Sequence, residues 1–383
     1  MRVLVVFGTR PEAIKLAPVI RALVDDPRIE CIVCNSGQHS RMLNQVLELF
    51  AIQPDHAFGL MRPNQTLTRV TIGVLRKLED VFASEHPDLL IVQGDTTTAF
   101  AAALAAYYHQ VPVAHVEAGL RTGNTRDPFP EELNRVLADK LSDYLFAATE
   151  RSKSNLLSEG HPVDRIWVTG NTGIDALLWI AARDADVQQP PGVSKRLAAQ
   201  AQRWRTQGQR LVLVTCHRRE SFGARMEVIC SALRDIAERN TDVEIVFPVH
   251  LNPNVWNVAN RVLANVPRVH LLRPLSYSAF VWLMGNAYLV LTDSGGIQEE
   301  APALGKPVLV MRNTTERPEA IEAGVARLVG VEREAIVAQT ERLLDSPNAY
   351  AEMAKRVSPY GDGHATERIL EVLMGAQAPV EAL

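Results

Sequence analysis

An alternation constrains this chain more than anything else in it. Short, almost uninterrupted apolar runs are each followed by a longer segment whose apolar residues recur every three to four positions. The runs are RVLVVF, ECIVCN, DLLIVQ, VPVAHV, DYLFAA and RIWVTG, then RLVLVT, VEIVFP, RVHLLR, AYLVLT and PVLVMR. Runs of this kind mark strands buried on both faces, because a strand with one wet face alternates apolar with polar residues. The segments between them read as helices. The first carries Ile14, Ala17, Ile20, Leu23 and Val24 on one stripe. Strand–helix alternation over this length predicts parallel sheets covered by helices on both sides.

The alternation breaks once. A helical stretch near 175 leads into DVQQPPGVSKR, where Pro190, Pro191 and Gly192 form a breaker, and a polar helix then runs to Gly208. Five or six strands lie on each side. The chain of 383 residues therefore reads as two similar doubly wound domains with a cleft between them. A last break, SPYGDGH, precedes a final helix at 365–374.

Composition narrows the function. Lys plus Arg number 40 against 44 Asp plus Glu, a formal charge of −4. No basic excess points to nucleic acid, so an anionic ligand must be held by a local site. The run Val3–Phe7 is too short for a signal-peptide core, and Ala99–Tyr108 covers about half a membrane span. The expectation is a cytoplasmic protein with no membrane partner. Four cysteines make no disulfide framework. Cys31 and Cys34 spell C-x-x-C inside a strand-like run and read as two core thiols.

In open α/β sheets ligands bind beyond the carboxyl ends of the strands, so the residues after each run are the ones to read. The first run ends in Gly8-Thr9-Arg10-Pro11-Glu12. Thr9 and Glu12 have capping-box spacing, and Arg10 and Lys15 set two cations near a helix N-terminus. LLIVQGDTTT leaves Asp95 at a strand–helix junction. VPVAHVEAGLRTG leaves Glu117 before a glycine, and DPFPEELNR adds Glu131 and Glu132. Each acid alone reads as a cap or a solvated first turn. Three from neighbouring strand ends could crowd in one cleft, where mutual repulsion raises a carboxyl pKa and creates an acid/base pair. His115 and Glu117 are two apart and so share a strand face. His115 itself reads as a hydrogen-bonded histidine near the core.

In the second half, LVLVTCHRRES clusters His217, Arg218, Arg219 and Glu220 at a strand end. Such a cluster needs an anion or solvent. In LVLTDSGGIQEEAPALGKPVLVMR, Asp293 or Ser294 caps a helix. Gly295 and Gly296 clear side chains from its N-terminus, which lets backbone N–H groups approach a phosphate. Glu300, one turn on, suits two vicinal sugar hydroxyls. Arg317 follows the next strand. No G-x-G-x-x-G, Walker A or H-E-x-x-H pattern occurs. Asp184-Ala185-Asp186 reads as a solvated charge cluster, and no metal site is expected.

The motifs FGTRPEAIKLAP, QGDTTT, HVEAGLRTG, PEELNR, VTGNTGIDAL, TCHRRESFG, PVHLNPNV, LTDSGGIQEEAPALGKPVL, TTERPEA and PYGDG run in one order. With them the chain resembles the bacterial non-hydrolysing UDP-N-acetylglucosamine 2-epimerases, from residue 3 to about 373. The resemblance implies a GT-B fold, two Rossmann-like domains with the active site between them. Residues 1–172 would form the first domain, with the helix at 364–383 packed back on it, and 173–363 the UDP-binding second. It implies interconversion of UDP-N-acetylglucosamine and UDP-N-acetylmannosamine through 2-acetamidoglucal, for surface polysaccharide, by a cofactor-free homodimer. Asp95, Glu117, Glu131 and His217 match the family's catalytic positions. Arg10, Ser294, Gly295, Gly296 and Arg317 match nucleotide contacts, Glu300 the ribose contact, Lys15 a position near the substrate, and Phe280 the uracil-facing stretch. Leu275 stands where many relatives carry Gln. The allosteric pattern that some relatives show begins with Gln38 and His39 but then meets Arg41 and Asn64 instead of Gln and Arg, so that regulation is not expected. The alternatives are a GT-B glycosyltransferase with a UDP-sugar donor, a hydrolysing epimerase and a catalytically dead sensor. A dead sensor is expected to lack one of the four catalytic positions, and all four are present.

Overall fold

The computed structural model describes residues 1–37, 41–60, 62, 65–126, 128–184, 187 and 189–375, with 41, 42 and 219 described by their backbone. The strands are β1 (Arg2–Phe7), β2 (Glu30–Asn35), β3 (His56–Ala57), β4 (Leu89–Gln93), β5 (Val113–Ala118), β6 (Tyr144–Ala147), β7 (Ile166–Val168), β8 (Arg210–Thr215), β9 (Val243–Pro248), β10 (Val269–Leu272), β11 (Leu289–Thr292), β12 (Val308–Val310) and β13 (Ala326–Leu328). The first-half helices are α1 (Arg10–Asp25), α2 (Arg41–Leu49), α3 (Leu67–Glu85), α4 (Thr97–Tyr108), α5 (Glu131–Lys140), α6 (Glu150–Ser158) and α7 (Thr172–Arg183). They are followed by α8 (Lys195–Thr206), α9 (Ala224–Arg239), α10 (Pro253–Leu263), α11 (Tyr277–Asn286), α12 (Gly295–Ala303), α13 (Pro318–Glu322), α14 (Arg333–Asp345), α15 (Pro347–Met353) and α16 (Ala365–Gly375).

The chain divides into two compact units, Met1–Ala176 with Tyr360–Leu383, and Leu177–Pro359. It leaves the first unit partway along α7 and returns just after α15. In the first unit seven parallel strands run in the order β3-β2-β1-β4-β5-β6-β7. Helix α16 packs on α1 there, and the α7 residue Asp175 accepts from the backbone N–H of Ala365 (3.2 Å) and Thr366 (2.7 Å), closing the start of α16. In the second unit six parallel strands run β10-β9-β8-β11-β12-β13. Two doubly wound parallel sheets in one chain are the GT-B architecture.

Each sheet reverses its winding once, between β1 and β4 and between β8 and β11. At these switch points two successive loops depart in opposite directions and leave a crevice. The central strands are buried throughout: Val3–Phe7 and Val212–Val214 expose nothing. β2 holds Cys34 buried and Cys31 partly so, both as free thiols. Burial pushes both thiols up, Cys31 to about 12, so neither is a thiolate near neutral pH.

Candidate active site

At the first switch point β1 runs into Gly8-Thr9-Arg10 and β4 into Gly94-Asp95. Glu12 ties the two together. Its buried carboxylate accepts from the backbone N–H of Gly8 (3.1 Å) and Thr9 (2.7 Å) and from the Thr96 hydroxyl (2.7 Å). The spacing that predicted a capping box thus also joins two strand ends. Burial pushes the Glu12 carboxyl up, against these hydrogen bonds.

Asp95 is held from α5. Arg135 makes an ion pair with its carboxylate, and Asn134 Nδ2 donates to its backbone carbonyl at 2.9 Å. Arg135 also meets buried Glu132 at 3.0 Å, and Glu132 accepts from the backbone N–H of Thr122 and Gly123, both at 2.9 Å. Glu131, the first residue of α5, is half-buried. No hydrogen bond or ion pair joins its carboxylate to another described residue.

Glu117 is the most constrained of the acids. Pairing between β5 and β6 slips one residue there, since Val116 faces Phe146 and Ala118 faces Ala147. The bulge residue is Glu117, with φ +70°, a left-handed conformation that costs a side-chain-bearing residue about 1–2 kcal/mol. Its carboxylate is ion-paired with Lys15 of α1 and accepts from Gln93 Nε2 at 3.2 Å. Gly119, two residues on, has φ +80°, and a Cβ there would overlap the carbonyl oxygen of Ser152.

One expectation gains detail here and one is corrected. Two of the three acids are not left without a cation: Asp95 is ion-paired with Arg135 and Glu117 with Lys15. Nor do His115 and Glu117 share a face. His115 meets Asp139 of α5, in the layer with α4, while Glu117 meets Lys15 of α1, in the layer with α2 and α16. The bulge reverses the alternation that a regular strand would keep.

At the second switch point β8 runs into Cys216-His217-Arg218 and β11 into Asp293-Ser294. Asp293 is fully buried and accepts from the backbone N–H of His217 (2.9 Å) and Arg218 (2.9 Å) and from the Ser221 hydroxyl (3.0 Å). It organises the loop after β8, while Ser294 is the N-cap of α12 and makes no side-chain capping bond. The first-turn N–H groups of α12 are therefore not closed by their own cap. A Cβ on Gly296 would meet nothing within 4 Å, whereas one on Gly295 would come 3.1 Å from Glu316. The open space at Gly296, over a helix N-terminus, suits an oxyanion.

Cations surround that turn in paired form. Arg218 meets Glu316 at 2.9 Å, and Arg312 meets Glu316 at 2.7 Å and Glu220 at 2.6 Å. The anion answering Arg218 of the His-Arg-Arg-Glu cluster is thus a carboxylate of the chain itself. Arg317 pairs with buried Glu299, and Glu300 accepts from the Tyr277 hydroxyl at 3.0 Å. Phe280 lies one turn along α11 from Tyr277, half-buried, and Leu275 packs beside Val193, Leu197 and Ala279. The His217 ring stacks on His250, centroids 6.0 Å apart. The side chain is 43% exposed, yet partial desolvation, with Arg218 and His250 nearby, pushes its pKa below the ordinary value despite Asp293. The shift favours the neutral ring, which accepts a proton and can return it once protonated.

Sequence reasoning missed Gln93, Arg135, Asp139, Arg312 and Glu316. Gln93 did leave a signal, as the one polar residue of a fully buried strand. Asp184 is not solvated as expected: it is buried, paired with Arg183 at 2.8 Å and accepting from Ser278 at 2.7 Å. Asp186, Gln38, His39 and Asn64 lie outside the described residues, as do the side chains of Arg41 and Arg219. Among the described residues no cluster of His, Cys, Asp or Glu is placed to hold a metal ion.

Comparison with known proteins agrees in sequence and in fold. The UDP-N-acetylglucosamine 2-epimerase family model matches residues 21–374. The chain is 53% identical to the UDP-N-acetylglucosamine 2-epimerase of Salmonella typhimurium over 373 residues, 97% of this chain and 98% of that one. A crystal structure of the Neisseria meningitidis UDP-GlcNAc 2-epimerase, bound to UDP-GlcNAc, matches with TM-score 0.88 at 46% identity, covering 98% of this chain and 100% of that one. The Methanocaldococcus jannaschii enzyme, in complex with UDP-GlcNAc and UDP, matches with TM-score 0.80 at 34% identity over 98% and 100%. With the family model over most of its length and relatives at this identity along nearly all of it, the chain belongs to the UDP-N-acetylglucosamine 2-epimerase family.

Proposed function

We propose that the protein is an isomerase that interconverts UDP-N-acetylglucosamine and UDP-N-acetylmannosamine by elimination and re-addition of UDP. The reading rests on one observation: two carboxylates, Asp95 and Glu117, end neighbouring strands of a switch point and each is held by a cation. The C2 hydrogen of the sugar is not α to a carbonyl, so it is not acidic enough to be removed alone. Its loss must accompany departure of the anomeric oxygen. A carboxylate takes the C2 proton, the C1–O bond breaks, and the electron pair leaves on the β-phosphate of UDP, giving 2-acetamidoglucal. Return of UDP to C1, with a proton delivered to the other face of C2, gives the epimer.

In the first unit Asp95, Glu117 and Glu131 handle the proton and the positive charge on the ring, with Arg10 and Lys15 as nearby cations. In the second unit the α12 N-terminus at Ser294, Gly295 and Gly296 holds phosphate oxygens together with Arg317. Glu300 takes the ribose hydroxyls, Phe280 lies toward the uracil, and His217 gives the proton to the departing phosphate as imidazolium and takes it back as the neutral ring. The reaction uses no metal or nicotinamide. The protein works as a homodimer, and its product feeds a surface polysaccharide. No helix among the described residues is long and apolar enough to cross a membrane, in keeping with a cytoplasmic site of action. Sugar transfer to an acceptor is not favoured, because the relatives named above are 2-epimerases.

Proton NMR of UDP-N-acetylglucosamine with the enzyme in D2O, without acceptor or added metal, tests this. The manno isomer should appear with deuterium at C2, and traces of UDP and 2-acetamidoglucal should accumulate. Epimerisation that leaves protium at C2 would rule out the elimination route.

A further inference from the structure

His115 lies at the middle of β5 with no exposure at all, yet both ring nitrogens are engaged. Nε2 is 2.7 Å from the carbonyl oxygen of Gly94. A carbonyl only accepts, so Nε2 carries a proton. Nδ1 is 2.6 Å from Oδ1 of Asp139. The other oxygen of Asp139 accepts from Arg121 Nη2 (2.6 Å) and the backbone N–H of Gly119 (3.2 Å). A carboxyl group that takes a guanidinium and an amide on one oxygen is ionised, so Nδ1 donates as well and the ring is an imidazolium. Burial alone pushes the ring's pKa down, but the charge and hydrogen bond of Asp139 and the Gly94 carbonyl outweigh it and raise it. Arg121 is in turn held by Glu159 at 2.6 Å, with Lys140 and His161 beyond it.

The buried charges end at two places. Gly94 precedes Asp95, and Gly119 lies two residues after Glu117. We propose that His115, Asp139 and Arg121 are positioning residues that lock the ends of β4 and β5, and thereby fix where the Asp95 and Glu117 carboxylates stand. None of the three has a role in the proton transfers described above. A neutral pair would serve less well, because a charge-assisted hydrogen bond is shorter and about twice as strong as a neutral one. The Glu117 bulge holds a strained backbone, and such strain persists only where the surroundings over-determine it. The Asp139–Gly119 bond, with Asn155 Nδ2 donating to the Gly119 carbonyl at 2.9 Å, supplies that constraint. This inference rests on the proposed function only in assigning chemistry to Asp95 and Glu117.

The test uses the full-length enzyme, Asp139→Asn and His115→Gln, with folding checked by circular dichroism. The glutamine keeps a donor for Gly94 without the charge. In histidine labelled with nitrogen-15, the wild type should show one ring doubly protonated at pH 8, absent from His115→Gln and neutral in Asp139→Asn. Hydrogen exchange read by mass spectrometry should quicken around 94–96 and 117–120 in Asp139→Asn. The kcat should fall roughly 10- to 100-fold with KM nearly unchanged, as misplacement of reacting groups predicts, and His115→Gln should fall less. A neutral His115 at pH 8, or unchanged exchange at both strand ends in both variants, would overturn the proposal. Should the wild type fail to epimerise while the ring signal and the exchange behave as expected, the functional reading fails and the lock stands.

Discussion

Replacing Glu117 by Gly and by Ala should invert the usual ranking of those residues. In a regular strand Gly is less stable than Ala by about 0.5–1 kcal/mol, because it loses more backbone freedom on folding. At φ +70°, Ala carries the left-handed cost of about 1–2 kcal/mol and Gly does not. Both variants lose the Lys15 ion pair and the Gln93 hydrogen bond, so those losses cancel in the comparison. The Gly protein should come out more stable by about 1 kcal/mol. The first unit comprises Met1–Ala176 and Tyr360–Leu383, and in a unit of that size 1 kcal/mol moves Tm by roughly 2–4 °C. Calorimetry can follow that transition apart from the second unit's if the two melt separately. Both variants should lose at least ~10²-fold in kcat, the loss typical of removing a general acid or base. An Ala variant equal to or more stable than the Gly variant would show that the bulge is not strained.

Gly296→Ala should leave stability unchanged or raise it by up to about 1 kcal/mol, since Ala is the better helix former and its Cβ meets open space. UDP affinity, measured by titration calorimetry, should nevertheless fall, and unchanged affinity would move the phosphate elsewhere. Arg135→Met should cost at most about 3–5 kcal/mol in urea unfolding, because it leaves buried Glu132 without its cation. It should also slow turnover by freeing Asp95, and an equally stable variant would contradict the geometry. Glu316 stays ionised down to about pH 2: burial works against that, but Arg317 and Arg312 outweigh it. Its folded pKa is lower than its unfolded value of 4.5, so its stabilisation is complete above pH 4.5 and is lost as pH falls toward 2. Unfolding curves of wild type and Glu316→Gln should therefore converge at acid pH, and a gap that stays constant with pH would refute this.

The sequence by itself determined the two-sheet α/β architecture and where to look within it. A strand buried on both faces is apolar at nearly every position, so its run and its end are visible in one dimension. The exceptions were β3 and β13, edge strands of two and three residues with no such run. Because ligands in these folds lie at strand ends, Asp95, Glu117, His217 and the Gly295-Gly296 turn were legible as chemistry, and the family motifs supplied their roles. What only the tertiary structure decided is which charge meets which. Lys15 and Glu117 are 102 residues apart in the chain, and Arg135 reaches Asp95 across 40. No local pattern records such pairings, and they give two of the expected acids, Asp95 and Glu117, a cation each. The bulge at Glu117 arises from a slip in register against β6. Register belongs to two strands at once, and a single strand's alternation therefore put His115 and Glu117 on the same face when the folded chain sets them on opposite ones.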